Sequence, residues 1–227
     1  MKTWLAIETA TEACSVALAC GDLLWEDSRI APNQHSQLLL PMIQGVLERG
    51  DLSLAAVDAI ACGIGPGGFT AVRLGISTAQ GLAQALARPL YPVSSLQALA
   101  AGDPHPATLV AMDARRSEVY AAAFLRDGDD IPRLLGQERV IRPEDLAWPP
   151  PLPAGAGLWA GIGTGWNLYA SLWQGGSPVS WSAGHYPKAR EVLSLARYRW
   201  KAEGDQGISP EAMEPHYIRP SQAEEKR

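Results

Sequence analysis

A strand that runs into a glycine loop and straight out into a helix constrains this chain more than any other feature. Ala59-Ile60-Ala61-Cys62 is a short apolar run, Gly63-Ile64-Gly65-Pro66-Gly67-Gly68 is the loop, and Phe69-Thr70-Ala71-Val72-Arg73 opens the helix. Such loops aim backbone N–H groups and a positive helix end at one point, which suits an anion. Gly63, Gly65 and Gly68 also have the spacing of the dinucleotide fingerprint. That fingerprint needs a carboxylate at the end of the next strand, roughly twenty positions on, to hold a ribose. Leu90-Tyr91-Pro92-Val93-Ser94 supplies none. The loop also follows a three-strand meander that a nicotinamide enzyme does not normally carry. No Gly-x-x-x-x-Gly-Lys-Ser/Thr loop occurs in the sequence.

The elements around the loop read as an alternating series. Strands are expected at 3–9, 14–20 and 22–30, a helix at 34–49, a strand at 57–63, a helix at 70–87, a strand at 90–94 and a short helix from Ser95. Asn33 suits the N-cap of the first helix and Gly50 its stop, with Pro41 bending the axis between them. From Thr108 the order repeats more loosely, with strands near 108–113, 118–125 and 134–141, a short helix from Pro143, and a strand at 157–162. A strong helix runs from Lys188 to Glu203, with Val192, Leu195, Ala196 and Arg199 at helical spacing. Pro149-Pro150-Pro151-Leu152-Pro153 reads as a stiff connection and Ser221 to Arg227 as a mobile polar tail. Glu8 ends the first strand of one half and Asp113 that of the other, each before a tight hairpin. The chain reads as a duplicated α/β unit.

Composition removes several function classes. A formal net charge of -5 over 227 residues is a poor platform for nucleic acid, so any RNA would be held mostly by a partner. No apolar run reaches the length of a membrane span, and Glu8 interrupts the place where a signal peptide would continue, so a cytoplasmic location is expected. Cys14, Cys20 and Cys62 lie in apolar strand-like segments without metal-type pairing and read as small buried hydrophobes.

Ile7-Glu8-Thr9-Ala10-Thr11-Glu12-Ala13-Cys14-Ser15, His35-Ser36-Gln37-Leu38-Leu39-Leu40-Pro41, Gly65-Pro66-Gly67-Gly68-Phe69-Thr70, Met112-Asp113-Ala114-Arg115-Arg116-Ser117-Glu118, Gly163-Thr164-Gly165-Trp166 and Glu214-Pro215-His216-Tyr217-Ile218-Arg219 together resemble the bacterial TsaB family, also called YeaZ. The motifs span nearly the whole chain in the family's order. The resemblance implies an α/β fold of duplicated actin-like (ribonuclease H-like) βββαβαβα units, the second degenerate. It implies a first subdomain at 1–104 that resumes with part of the C-terminal helix, a second at 105–220, and a flexible tail at 221–227. It further implies a non-catalytic scaffold and activator of the related transferase TsaD, in forming N6-threonylcarbamoyladenosine at position 37 of tRNAs that read A-starting codons. The implied partners are TsaD, the ATPase TsaE, a second copy of the chain in isolation, and tRNA indirectly. No intrinsic cofactor is implied, with ATP or ADP held where the chain meets TsaD.

The candidate residues follow from these two readings. His35, Leu38, Leu39, Met42, Ile43 and Val46 form an apolar ridge on the first helix, and the resemblance assigns it to a partner. Thr70, Arg73, Leu74, Ser77 and Thr78 would face outward from the second helix. Ala71, Gly75, Ala79, Ala83 and Ala87 form a stripe of small residues that suits either a closely packed partner helix or the chain's own sheet. Glu8, Thr9, Thr11, Gly67, Gly68, Asp113 and Arg115 are the candidate nucleotide or anion contacts. TsaD carries a metal-binding His-x-x-x-His whose two positions fall here on Ser95 and Leu99, and His35, His105, His185 and His216 are too scattered to replace it. No metal site and no catalytic residue are therefore expected. The rival reading is an independent ATPase or small-molecule kinase that uses Glu8 and Asp113.

Overall fold

A computed structural model of the chain describes residues 2–146, 152, 159–173, 180–182 and 184–218. The remaining positions include most of the proline-rich connection at 149–153, the first residues of the strand expected at 157–162, and the tail at 221–227, so those expectations lie outside the described residues.

The chain divides into two compact units, Met1–Ala98 with Pro187–His216, and Leu99–Tyr186 with Tyr217–Arg227. The division falls between Ala98 and Leu99, earlier than the boundary expected at 104. The whole segment Pro187–His216 belongs to the first unit, which corrects the assignment of 105–220 to the second.

The first unit is built on a sheet of β1 (Thr3–Glu8), β2 (Ala13–Cys20), β3 (Leu23–Ile30), β4 (Ala59–Gly63) and β5 (Leu90–Val93). The strand order is β3-β2-β1-β4-β5, the meander antiparallel and the β1–β4 and β4–β5 pairs parallel. Strand side chains alternate between faces. On one face Leu5, Ile7, Val16, Leu18, Ile60 and Cys62 form a single core with α1 (His35–Arg49) and α2 (Phe69–Leu86). The other face carries Ala6, Ala17, Ala19, Ala59 and Ala61, all buried, and α5 (Ala189–Ala202) packs on β1, β2, β4 and β5. On this face the Trp4 ring lies 4.7 Å from Tyr91 and 5.8 Å from Trp200. Burial on both faces makes β1, β2 and β4 nearly continuous apolar runs.

Gln34, not Asn33, occupies the N-cap of α1, and no side chain caps it. Asn33 instead takes a left-handed conformation with φ of 63°, which asparagine tolerates better than most residues. Gly50 closes the helix and Pro41 lies inside it.

Helix α3 (Ser95–Ala101) crosses the division between the units. The second unit holds β6 (Ala107–Arg115), β7 (Glu118–Asp127), β8 (Ile131–Ile141), β9 (Ala160–Ile162) and β10 (Ser180–Ser182) in the order β10-β9-β6-β7-β8. Reversed, that is the order of the first sheet: third, second, first, fourth and fifth strands. The fold is a duplicated actin-like unit. Among the described residues the second copy is degenerate, with a three-residue 3-10 turn at Pro143–Asp145 after β8 and the four-residue helix α4 (Gly165–Leu168) after β9.

Candidate functional site

The loop that opens α2 is gathered around one buried carboxylate. Glu8, at the end of β1, has no exposed surface. Its Oε1 accepts the Ala10 N–H at 2.7 Å and its Oε2 accepts the Ser95 hydroxyl at 2.7 Å. A Cβ on Gly63 would overlap Oε2, so the carboxylate fills the space that only glycine leaves. Burial pushes the Glu8 pKa up, while hydrogen bonds from Ala10, Ser95 and Thr9 pull against it. Cys62, on the adjoining strand, is pushed above the ordinary thiol range by burial and then by the Glu8 charge.

The anion reading of this loop does not fit these positions. The Gly68 N–H donates to the Ala10 carbonyl at 2.8 Å, and a Cβ on Gly67 would run into the same carbonyl. The Thr9 hydroxyl donates to the Ala71 carbonyl at 2.8 Å, and that of Thr11 accepts its own turn's Ala13 N–H at 3.2 Å. The chain's own hairpin thus occupies the space that a phosphate would enter. Glu8, Thr9, Gly67 and Gly68 are engaged with the chain's own Ala10, Ala71 and Ser95, and Thr11 with Ala13 of its own turn.

Asp113 and Arg115 belong to the second unit. Asp113 Oδ1 accepts the Tyr169 hydroxyl at 2.7 Å and the Arg115 N–H at 2.8 Å, and Oδ2 lies 3.1 Å from the Arg115 guanidinium. Burial, the hydrogen bond to Asp113 and the Asp113 charge together push the Tyr169 phenol up to about 12. Arg115, Arg116 and Ser117 form the hairpin tip with φ of 63°, 57° and 58°. Asp113 is thus a hairpin anchor with both carboxylate oxygens engaged.

The two helices separate the partner candidates into two groups. Leu39, Met42, Ile43 and Val46 lie in the core of the first unit, and His35 is buried with Nε2 3.3 Å from the Ala13 carbonyl. Leu38 packs half-buried against the same core. The expected partner ridge of α1 is therefore mostly an inward stripe. Its outward face instead carries Leu40, 59% exposed, with Pro41 and Gln44. The middle of the small-residue stripe of α2 is likewise internal, while Ala71 is half-buried and Ala87 exposed. Gly75, Ala79 and Ala83 are buried, and Gly75 gives room to the Thr9 hydroxyl. Thr70, Arg73 and Ser77 are exposed as expected, and Leu74 and Thr78 are half-buried. Phe69 is 60% exposed, with the Arg73 guanidinium 3.7 Å above its ring.

The chain is 37% identical over 95% of its length to the tRNA threonylcarbamoyladenosine biosynthesis protein TsaB of Escherichia coli, covering 94% of that protein. It belongs to the TsaB family. The TsaB protein of Haemophilus influenzae is 36% identical over 96% of the chain and 93% of its own length. A wider family model, described as TsaD, tRNA N6-adenosine threonylcarbamoyltransferase, matches residues 28–158. Two solved structures from Pseudomonas aeruginosa, one described as YeaZ and the other as an uncharacterized protein similar to peptidase YEAZ, superpose with TM-scores of 0.87 and 0.88. Each is 40% identical to the chain and covers 96% of it and 100% of its own length. As for the peptidase description, no group of three or more His, Cys, Asp or Glu able to hold a metal occurs among the described residues.

Within this TsaB-family chain, the structural places of four residues escape a reading of the residues alone. Nothing local to Ser95 shows that its hydroxyl reaches Glu8, 87 positions away. Tyr169 meets Asp113 through a 56-residue gap. Phe69 and Leu40 differ from their buried neighbours only by helical phase, which a ±1 uncertainty in helix start erases.

Proposed function

We propose that this chain is a non-catalytic subunit in the formation of N6-threonylcarbamoyladenosine at position 37 of tRNAs reading A-starting codons, where it scaffolds and activates a TsaD-type transferase. The observation that carries the proposal is the TsaB-family match over nearly the whole chain, combined with a Glu8 whose carboxylate is buried and already bonded. A carboxylate held that way cannot bind magnesium or activate a water without breaking its own hairpin.

Docking falls to the outward faces of α1 and α2, which share one face of the sheet. Leu40, Phe69, Thr70, Arg73 and Ser77 offer apolar surface edged by polar groups, the usual make-up of a protein interface. A second copy of the chain competes for this surface in isolation. TsaE and tRNA join through the assembled complex, and ATP or ADP belongs to that assembly. No helix among the described residues is long and apolar enough to cross a membrane, consistent with work on tRNA in the cytoplasm.

Depletion of the protein followed by mass spectrometry of tRNA nucleosides tests the reading. Threonylcarbamoyladenosine should fall with the protein, and normal levels under full depletion, with no paralogue present, would overturn it. Steady ATP turnover by the purified chain that Glu8→Ala or Asp113→Ala abolishes would favour the kinase or ATPase reading instead.

A further inference from the structure

The buried Glu8 carboxylate is the hub of a hydrogen-bond relay that ends on the exposed start of α2. From Oε1 the relay passes to the Ala10 N–H at 2.7 Å, and from the Ala10 carbonyl to the Gly68 N–H at 2.8 Å. Gly68 is the N-cap of α2, so this bond fixes where the helix begins. A second branch runs from Thr9, whose hydroxyl donates to the Ala71 carbonyl in the first turn and fits against Gly75 one turn later. On the other side, Oε2 accepts from Ser95, and the Ser95 N–H donates to the Gly65 carbonyl at 2.8 Å. Gly63, Gly67 and Gly75 each lack the Cβ that would collide with Glu8, Ala10 and Thr9 respectively. Three glycines on three segments thus make room for one hairpin, which the carboxylate holds.

What this relay holds is the turn that displays Phe69, Thr70 and Arg73. We propose that Glu8 is a positioning residue for partner docking: through Thr9 and Ala10 it keeps the first two turns of α2 in the one pose that the partner recognises. The proposal rests on the docking surface assigned to α1 and α2 above. A purely space-filling carboxylate would need none of these bonds, whereas a positioning one needs its acceptor atoms at full length. The distinction is visible in the side chain itself. Glutamine keeps Oε1 as an acceptor for Ala10 and can meet the Ser95 oxygen with its amide, while alanine removes both contacts and leaves a cavity beside Gly63.

The test uses the full chain and a purified TsaD-type partner. Glu8→Ala should weaken binding in calorimetry about tenfold, as expected if the docking-competent population drops to about one tenth. Glu8→Gln should bind within about threefold of the parent chain on the same grounds. Val57→Ala, a cavity in the same core but off the relay, controls for general loss of stability and should leave affinity unchanged. Unchanged affinity in Glu8→Ala, or an equal loss in Val57→Ala, would overturn the proposal. Amide hydrogen exchange of the chain alone gives an answer independent of any partner: Gly68 should exchange faster in Glu8→Ala than in Val57→Ala. If exchange rises as expected while neither Glu8→Ala nor Arg73→Glu changes affinity, the relay stands and the docking surface is wrong. Should Glu8→Ala fail to fold, Gly67→Ala enters the relay one link further on, at the Ala10 carbonyl, and must give the same affinity loss and exchange pattern.

Discussion

Ser95 and Glu8, 87 positions apart, meet in the core of the first unit, the hydroxyl donating to Oε2 at 2.7 Å. One consequence is a specific pH dependence. Burial raises the folded Glu8 pKa above its ordinary value of 4.5, so the folded state binds more protons than the unfolded chain at pH values above that point. Stability from this group is full below pH 4.5 and declines as pH rises through the folded pKa. The melting temperature of Glu8→Gln, which cannot ionise, should therefore gain on the parent chain as pH increases from 4 toward neutrality. Parallel profiles would show that Glu8 has the same pKa folded and unfolded.

Gly63 should not accept a side chain. Its Cβ would overlap Oε2 of a carboxylate whose two oxygens are both hydrogen-bonded, so Gly63→Ala should cost about 1–3 kcal/mol in chemical denaturation. Glu8→Asp shortens the side chain by one methylene and opens that space. The double variant should recover part of the loss, giving a favourable coupling of roughly 0.5 kcal/mol or more in the cycle.

Leu39 and Leu40 are neighbours with opposite fates, 1% and 59% exposed. Leu39→Glu places a charge inside the core and should cost roughly 4 kcal/mol or more, unfolding much of the protein. Leu40→Glu should change stability by no more than about 0.5 kcal/mol, yet weaken association with the transferase partner. Circular dichroism melts and calorimetry separate the two, and a folded Leu39→Glu variant would place this helix in the wrong phase.

Tyr169 reports on the hairpin anchor of the second unit. Its phenol should titrate near 12 by ultraviolet difference absorbance. Asp113→Asn removes the carboxylate charge and weakens the acceptor, so the tyrosine pKa should move down toward its ordinary value of 10. No movement would mean that the Tyr169 hydroxyl does not meet Asp113.

Local patterns carried most of the element order. The strands, the glycine turn and the amphipathic α5 each announce themselves through composition and period over a few residues. The matching positions of Glu8 and Asp113 likewise disclosed the duplication, because chain order alone repeats it. Those same patterns left the α2 stripe open between two coverings, and the α1 ridge went to a partner only on the resemblance. An apolar ridge on α1 and a small-residue stripe on α2 look the same whether a partner or the chain's own sheet covers them. The glycine loop likewise looks like an anion site whenever the occupant of its space comes from another segment.

The sequence by itself therefore determined the duplicated α/β order, the family, and the place of a tight turn before α2. Only the tertiary structure decided what fills that turn. Residues 8–10 and Ser95 reach it from distant parts of the chain, spending the Gly68 N–H and burying the Glu8 carboxylate. Hydrogen-bond capacity and free volume are properties of the assembled core, and no window of residues records whether they have already been used.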